Sequence, residues 1–125
     1  MARKTLIPTT IVDNGIFYEI DSTTNGLAVS AANDEFEFVF DQRDDKYILF
    51  ANNANSSTDA TLTVYKGDGV FGGADAVLTV PKGESGIFAL DSGRHMFVSG
   101  TDKGKVIIKC SLASDVTLSV FTKQF

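Results

Sequence analysis

One cysteine, one histidine, two prolines and no tryptophan occur among the 125 residues. A single thiol, Cys110, forms no disulfide within the chain. With His95 it falls short of the three or four ligands of a His/Cys zinc site. Any serine or cysteine triad would have to be built on His95, which follows Ser92-Gly93-Arg94 and reads as the start of a strand. No apolar run exceeds a few residues, so no helical membrane span and no membrane partner are expected. The start, Met1-Ala-Arg-Lys-Thr5, carries no apolar stretch of the secretory kind, and synthesis in a reducing compartment is expected. Clusters of Lys and Arg are also missing. Residues 1–80 hold five basic against twelve acidic residues, and residues 81–125 six against four, giving −7 and +2 and a net charge of −5. A chain so charged is poorly suited to hold a phosphate backbone, which excludes nucleic acid as the expected partner.

What the chain has is a series of short apolar runs between turn residues. The central stretch, Lys46 to Val98, contains Tyr47–Ala51, Thr61–Tyr65, Ala76–Val80, Ile87–Leu90 and His95–Val98, each bounded by Gly, Pro, Asp or Ser. Before it, Glu35-Phe-Glu-Phe-Val-Phe-Asp41 alternates, with Phe36, Phe38 and Phe40 on one side and Glu35, Glu37 and Asp41 on the other. That is a strand with one buried face. After it, Val106, Ile108 and Cys110 alternate with Lys105 and Lys109, and Val116, Leu118 and Val120 repeat the pattern. Asp13-Asn-Gly15 signals a turn before a strand over Ile16–Ile20, and Gln42–Asp45 turns the chain into the central stretch. Residues 21–34 read as a loop, since Leu27–Ala32 is too short to stand as a helix. Pro8 interrupts Leu6–Val12 and places it on a sheet edge or in an arm. Nine or ten strands, and no helix, at turn spacings of roughly 8–12 residues predict an all-β fold. The expected form is an antiparallel β-sandwich of jelly-roll or immunoglobulin-like kind. Residues 1–12 form an extended N-terminal arm or edge strand, and residues 13–125 the single sandwich domain.

Each motif with chemical meaning has a plain structural reading beside it. Gly67-Asp-Gly-Val-Phe-Gly72 matches the dinucleotide pattern G-x-G-x-x-G, but a strand ending in Pro81 follows where a phosphate-binding helix is required. It reads as a glycine turn. Asp68 and Asp75, like Asn52, Asn53, Asn55 and Asp59, offer oxygens for calcium without the spacing of a calcium loop, and read as solvated turn residues. Asn55-Ser-Ser57 is formally a glycosylation sequon. Glu35 and Glu37 lie two apart on one strand face, the wet side of a half-buried strand. Cys110 reads as a buried small hydrophobe. No active site emerges, no cofactor or metal is expected, and the chain is read as a binding or structural subunit, not an enzyme.

The strings Lys46-Tyr-Ile-Leu-Phe with Asn52-Asn53, Leu62-Thr-Val-Tyr-Lys-Gly-Asp-Gly69, Leu78-Thr-Val-Pro-Lys-Gly83, Leu90-Asp-Ser-Gly-Arg94 and Gly104-Lys-Val-Ile-Ile108 resemble small β-sandwich virion proteins of tailed bacteriophages. The resemblance covers about two-thirds of the chain, residues 46–125, and its motifs are turn and strand signatures. It implies a capsid decoration or head auxiliary protein on the outside of the head, made in the bacterial host cytoplasm. Its partners would be the phage major capsid protein and further copies of itself, with a homotrimer expected at three-fold positions of the shell. A tail, baseplate or fibre component, or a carbohydrate-binding module, stands as the alternative. The expected contact surface joins the arm, through Leu6 and Ile7, to the Gly67–Asp75 loop, with Arg94 adding a charge. Phe71 either anchors in a partner's pocket or folds back as a lid over the sandwich.

Overall fold

In a computed structural model, which describes residues 3–11, 26–40, 46–70 and 73–123, the apolar runs become strands. In chain order these are β1 (Lys4–Thr5), β2 (Thr9–Ile11), β3 (Leu27–Ala28), β4 (Glu35–Val39), β5 (Tyr47–Asn53), β6 (Ala60–Val64), β7 (Ala76–Val80), β8 (Ser85–Phe88), β9 (Lys105–Cys110) and β10 (Val116–Lys123). A single helical turn, α1 (Ser92–His95), lies between β8 and β9. The turn at Asp13–Gly15, the strand expected over Ile16–Ile20, Val12, the turn at Gln42–Asp45 and Phe71 lie outside the described residues.

The strands form two packed five-stranded sheets. The first runs β1-β4-β9-β6-β7; the second runs β2-β10-β5-β8, with β3 also paired to β10. Alternation decides what lies between them. From β4, Phe36 and Phe38 point inward and are fully buried, and Phe40 follows just beyond the strand. Burying each such ring contributes about 1.5–3 kcal/mol. Leu62 and Val64 of β6, Val106, Ile108 and Cys110 of β9, Tyr47, Leu49 and Ala51 of β5, and Val116, Leu118 and Val120 of β10 complete one core. At one end of it Phe38, Phe40 and Tyr47 pack in tilted contacts, with the Phe40 and Tyr47 centroids 4.4 Å apart. The Cys110 thiol is buried toward the other end of the core, where the Cys110 N–H donates to Asp34 O, and the thiol pKa is raised by desolvation.

Four expectations change. The sheets are mixed, not wholly antiparallel. β1 lies parallel to β4 and β2 parallel to β10, so the start of the chain supplies an edge strand to each sheet. Leu6, expected to reach a partner, is instead 3% exposed inside this domain's own core. The reason is its position: its N–H donates to Glu37 O, setting it beside Phe38, between the strand that joins one sheet and the strand that joins the other. The arm is therefore part of the sandwich. Within the stretch read as a loop, Leu27–Ala28 pairs antiparallel with Leu118 and Thr117. Gly26 is required there, because a Cβ would run into Ser119 Oγ and Leu118 O. Finally, His95–Val98 is not a strand. The Asp91 carboxylate accepts the Gly93 N–H, and Asp91 O accepts those of Arg94 and His95, so the aspartate caps one turn of helix.

The turn before β4 is held by a buried carboxylate. Asp34 accepts the N–H of Ser30 (2.7 Å), the N–H of Ala31 (3.1 Å) and the Ser30 hydroxyl (3.0 Å), and Lys4 Nζ lies 3.3 Å away. The Ser30 N–H is the largest cause that brings the Asp34 pKa down from 3.8 to about 2, against the opposing effect of burial. A depressed pKa means stability that is fully present above 3.8 and lost as pH falls through about 2. Thermal melts of wild type and Asp34→Asn across that window test this. The variant is expected to melt lower at neutral pH and to lose part of the acid dependence; equal acid dependence in both would show that Asp34 does not carry it. The arm is testable in the same way. Leu6→Ala should cost about 2–5 kcal/mol in denaturant unfolding, the range for emptying a packed leucine site, whereas a leucine serving only a partner would leave the isolated protein unchanged.

Candidate functional site

The residues with chemical potential are dispersed and already bonded. Glu35 and Glu37 share the outer face of β4 with Arg3, whose guanidinium lies 3.6 Å from Glu35, 3.3 Å from Glu37 and 2.8 Å from Asp102. Lys105 Nζ meets Glu37 at 2.7 Å, and the Tyr65 hydroxyl donates to Glu35 at 2.7 Å. The hydrogen bond from Arg3 lowers the Asp102 pKa, and desolvation, helped by the bond to Glu35, raises that of Tyr65 to about 12. These carboxylates are engaged by Arg3, Lys105 and Tyr65 on one sheet face.

The glycine-turn aspartates tie loops together. Asp68 accepts the Val98 N–H (2.7 Å) and the Ser99 hydroxyl (2.5 Å), and the serine bond is the main cause of its lowered pKa. Asp75 accepts the Lys66 N–H. After Gly73 the chain enters β7, so no helix stands ready for a dinucleotide. Asn53 donates to Thr58 O and Val80 O, Asn55 accepts from Ser57 and Thr58, and Asp59 accepts from Lys82, each fixing one loop. His95 is buried with Nδ1 3.2 Å from Tyr65 O. Among the described residues no group of three or more His, Cys, Asp or Glu gathers to hold a metal, and no helix is long and apolar enough to cross a membrane.

What is left over is apolar. Strand register places four exposed aliphatic residues along one end of the first sheet. Thr5 is level with Glu37, which sets Ile7, 78% exposed, level with the end of β4, where Val39 is also exposed. Val39 pairs with Lys105, and Lys105 O accepts the Phe97 N–H, which brings Val98 to the same end. The Gly67 loop leaves β6 there. Its N–H donates to Arg94 O at 2.7 Å, and a Cβ at Gly67 would collide with Met96 O, so only glycine lets the loop lie on the α1 segment. Val70, 92% exposed, follows Gly69, where a Cβ would border Val98. Strands lie about 4.8 Å apart, so the rim crosses three gaps from β1 to β6, roughly 14 Å.

Of the residues expected in a contact surface, Ile7 and Arg94 lie on this end and Leu6 does not face it. Phe71 is outside the described residues, though Val70 beside it is the most exposed large apolar residue described. Arg94 is solvent-facing, with Nε 3.8 Å from Asp91. Val39 and Val98 were not expected. Val39 was legible as the one apolar residue on the outward side of the Glu35–Asp41 alternation, whereas Val98 was hidden inside a stretch read as a strand. Comparison of the chain with protein-family models, with curated proteins and with solved structures finds no match.

This rim should contribute nothing to folding. Ile7→Asp and Val70→Asp are expected to melt within about 2 °C of wild type, since exposed substitutions usually fall within about 0.5 kcal/mol. A large drop for either would show that its side chain supports the fold.

Proposed function

We propose that the protein is a structural subunit of a tailed-phage virion, a decoration protein that binds the outer surface of the head and stabilises the shell. The observation that carries this reading is the row Ile7, Val39, Val98 and Val70 on one end of a sandwich whose first sheet holds Glu37 and Asp102 in ion pairs with Arg3 and Lys105. Water-exposed aliphatic side chains held by a rigid frame favour docking, and the buried, bonded carboxylates favour no reaction. The resemblance of the strand and turn strings in residues 46–125 to head auxiliary proteins supports the same reading. Assignment of the sandwich to the jelly-roll or immunoglobulin-like kind belongs with it. The partner is the major capsid protein, and Arg94 at the border of the rim suits an acidic neighbour.

The test is co-sedimentation with assembled but undecorated phage shells. Wild-type protein at micromolar concentration should pellet with the shells, and the Ile7→Asp/Val70→Asp double variant should bind at least about tenfold more weakly while melting normally. Failure of the wild type to pellet rejects the head assignment. Gold-labelled protein found on tails with bare heads would make it a tail or fibre component.

A further inference from the structure

The two flanks of the sandwich end differently. On the flank where the chain starts, β1 is two residues long and carries Lys4, while β2 is three residues long and follows Pro8. Shortness, lysine and proline all discourage an edge from pairing with another chain. The opposite flank is formed by β7 and β8, joined by the turn at Pro81–Glu84. Neither strand contains a charge or a proline, and β7 runs in unbroken register from Ala76 to Val80.

The phase of the hydrogen bonds shows which main-chain groups face outward. The Tyr65 N–H donates to Ile107 O and the Ser111 N–H to Thr61 O, so the odd-numbered residues of β6 turn toward β9. Leu62 and Val64 then turn toward β7 at their partners Leu78 and Ala76. That leaves the N–H and C=O of Val77 and Thr79 directed away from the sheet. On β8 the Asn53 N–H donates to Glu84 O, which by the same alternation directs Ser85 and Ile87 outward. Val77 and Ile87 are also the most exposed apolar side chains of this flank, at 65% and 72%.

We propose that β7 pairs antiparallel with β7 of a second copy, about a two-fold axis at Leu78, and joins two five-stranded sheets into one of ten strands. In this register Val77 of each copy lies opposite Thr79 of the other, a pair of β-branched residues suited to a sheet surface. Charge selects the direction. Asp75 precedes the strand and Lys82 follows it, so antiparallel pairing sets the aspartate of one copy beside the lysine-bearing turn of the other. Parallel pairing would set Asp75 on Asp75 and Lys82 on Lys82. Pro81, with no N–H, ends the ladder after Thr79. The same axis turns β8 of one copy toward β8 of the other, since both strands form one flank.

A five-residue strand spans about 17 Å and the sheets lie about 10 Å apart, so the contact is smaller than the roughly 800 Å² per partner of a standard interface. The dimer is accordingly a weak one. Its two-fold symmetry replaces the three-fold clustering expected from shell geometry, and it stands or falls independently of shell binding.

Sedimentation velocity of the full chain from about 10 µM to about 1 mM should show a monomer–dimer equilibrium. Over the same range, amide hydrogen exchange should slow at Val77 and Thr79 and stay unchanged at Leu78, which is already bonded to β6. Val77→Lys and Thr79→Pro should each weaken association tenfold or more while melting within a few degrees of wild type, the proline removing only an outward donor. A monomer throughout, a trimer, or a dimer that leaves exchange at Val77 and Thr79 untouched would overturn the proposal.

Discussion

Contact between the inward rows of β4 and β9 and those of β5 and β10 is the constraint on which the rest of the molecule depends. Phe36, Phe38 and Phe40 fill one side of this interior, and Tyr47, Leu49, Leu118 and Val120 the other. The aromatic cluster of Phe38, Phe40 and Tyr47 pins the two sheets together at the end where α1 and the Gly67 loop emerge. Because one core serves both sheets, the chain start is bound to it too. β1 and β2 sit on edges of different sheets, and Leu6 between them is drawn inside. An apolar residue placed between two edge strands has no other dry place to go.

The polar groups follow from that frame. On the outer face of the first sheet Arg3 gathers Glu35, Glu37 and Asp102, while Lys105 takes the second oxygen of Glu37. In the loops Asp34, Asp68, Asp75 and Asp91 each accept backbone N–H groups that a strand would otherwise have bonded. No buried side-chain nitrogen or oxygen among the described residues is left without a hydrogen bond. Satisfied carboxylates make loops stiff and make poor acids and bases. The large apolar residues left exposed lie at the rim of one end, Ile7, Val39, Val70 and Val98, and along the β7–β8 flank, Val77 and Ile87. These two surfaces lie on different parts of the sandwich.

Much of this was written in local pattern. A period of two, read in Glu35–Phe40, Lys105–Cys110 and Val116–Val120, placed the correct residues in the core, because a strand alternates its side chains regardless of its neighbours. The burial of Cys110 and the absence of a phosphate-binding helix after Gly67–Gly72 were legible for the same local reason. Ile7 and Arg94 were recognisable as surface candidates from their type and flanks alone.

Pairing partners were not. Nothing local in Lys4–Thr5 or Thr9–Ile11 says that these strands run parallel to β4 and β10, since that depends on hydrogen bonds to residues more than thirty and more than a hundred positions away. Leu6 looked like a contact residue because a short apolar stretch beside a proline has no visible core of its own; tertiary folding supplied one. His95 looked like a strand residue until Asp91, capping the turn from four residues before, made it helical. The exposed rim and the unprotected flank exist only once the strands are ordered, because whether an edge or an end is covered is a property of neighbours. The sequence alone determined which residues avoid water and at what period. Only the tertiary structure decided which backbone groups found partners and which were left facing out.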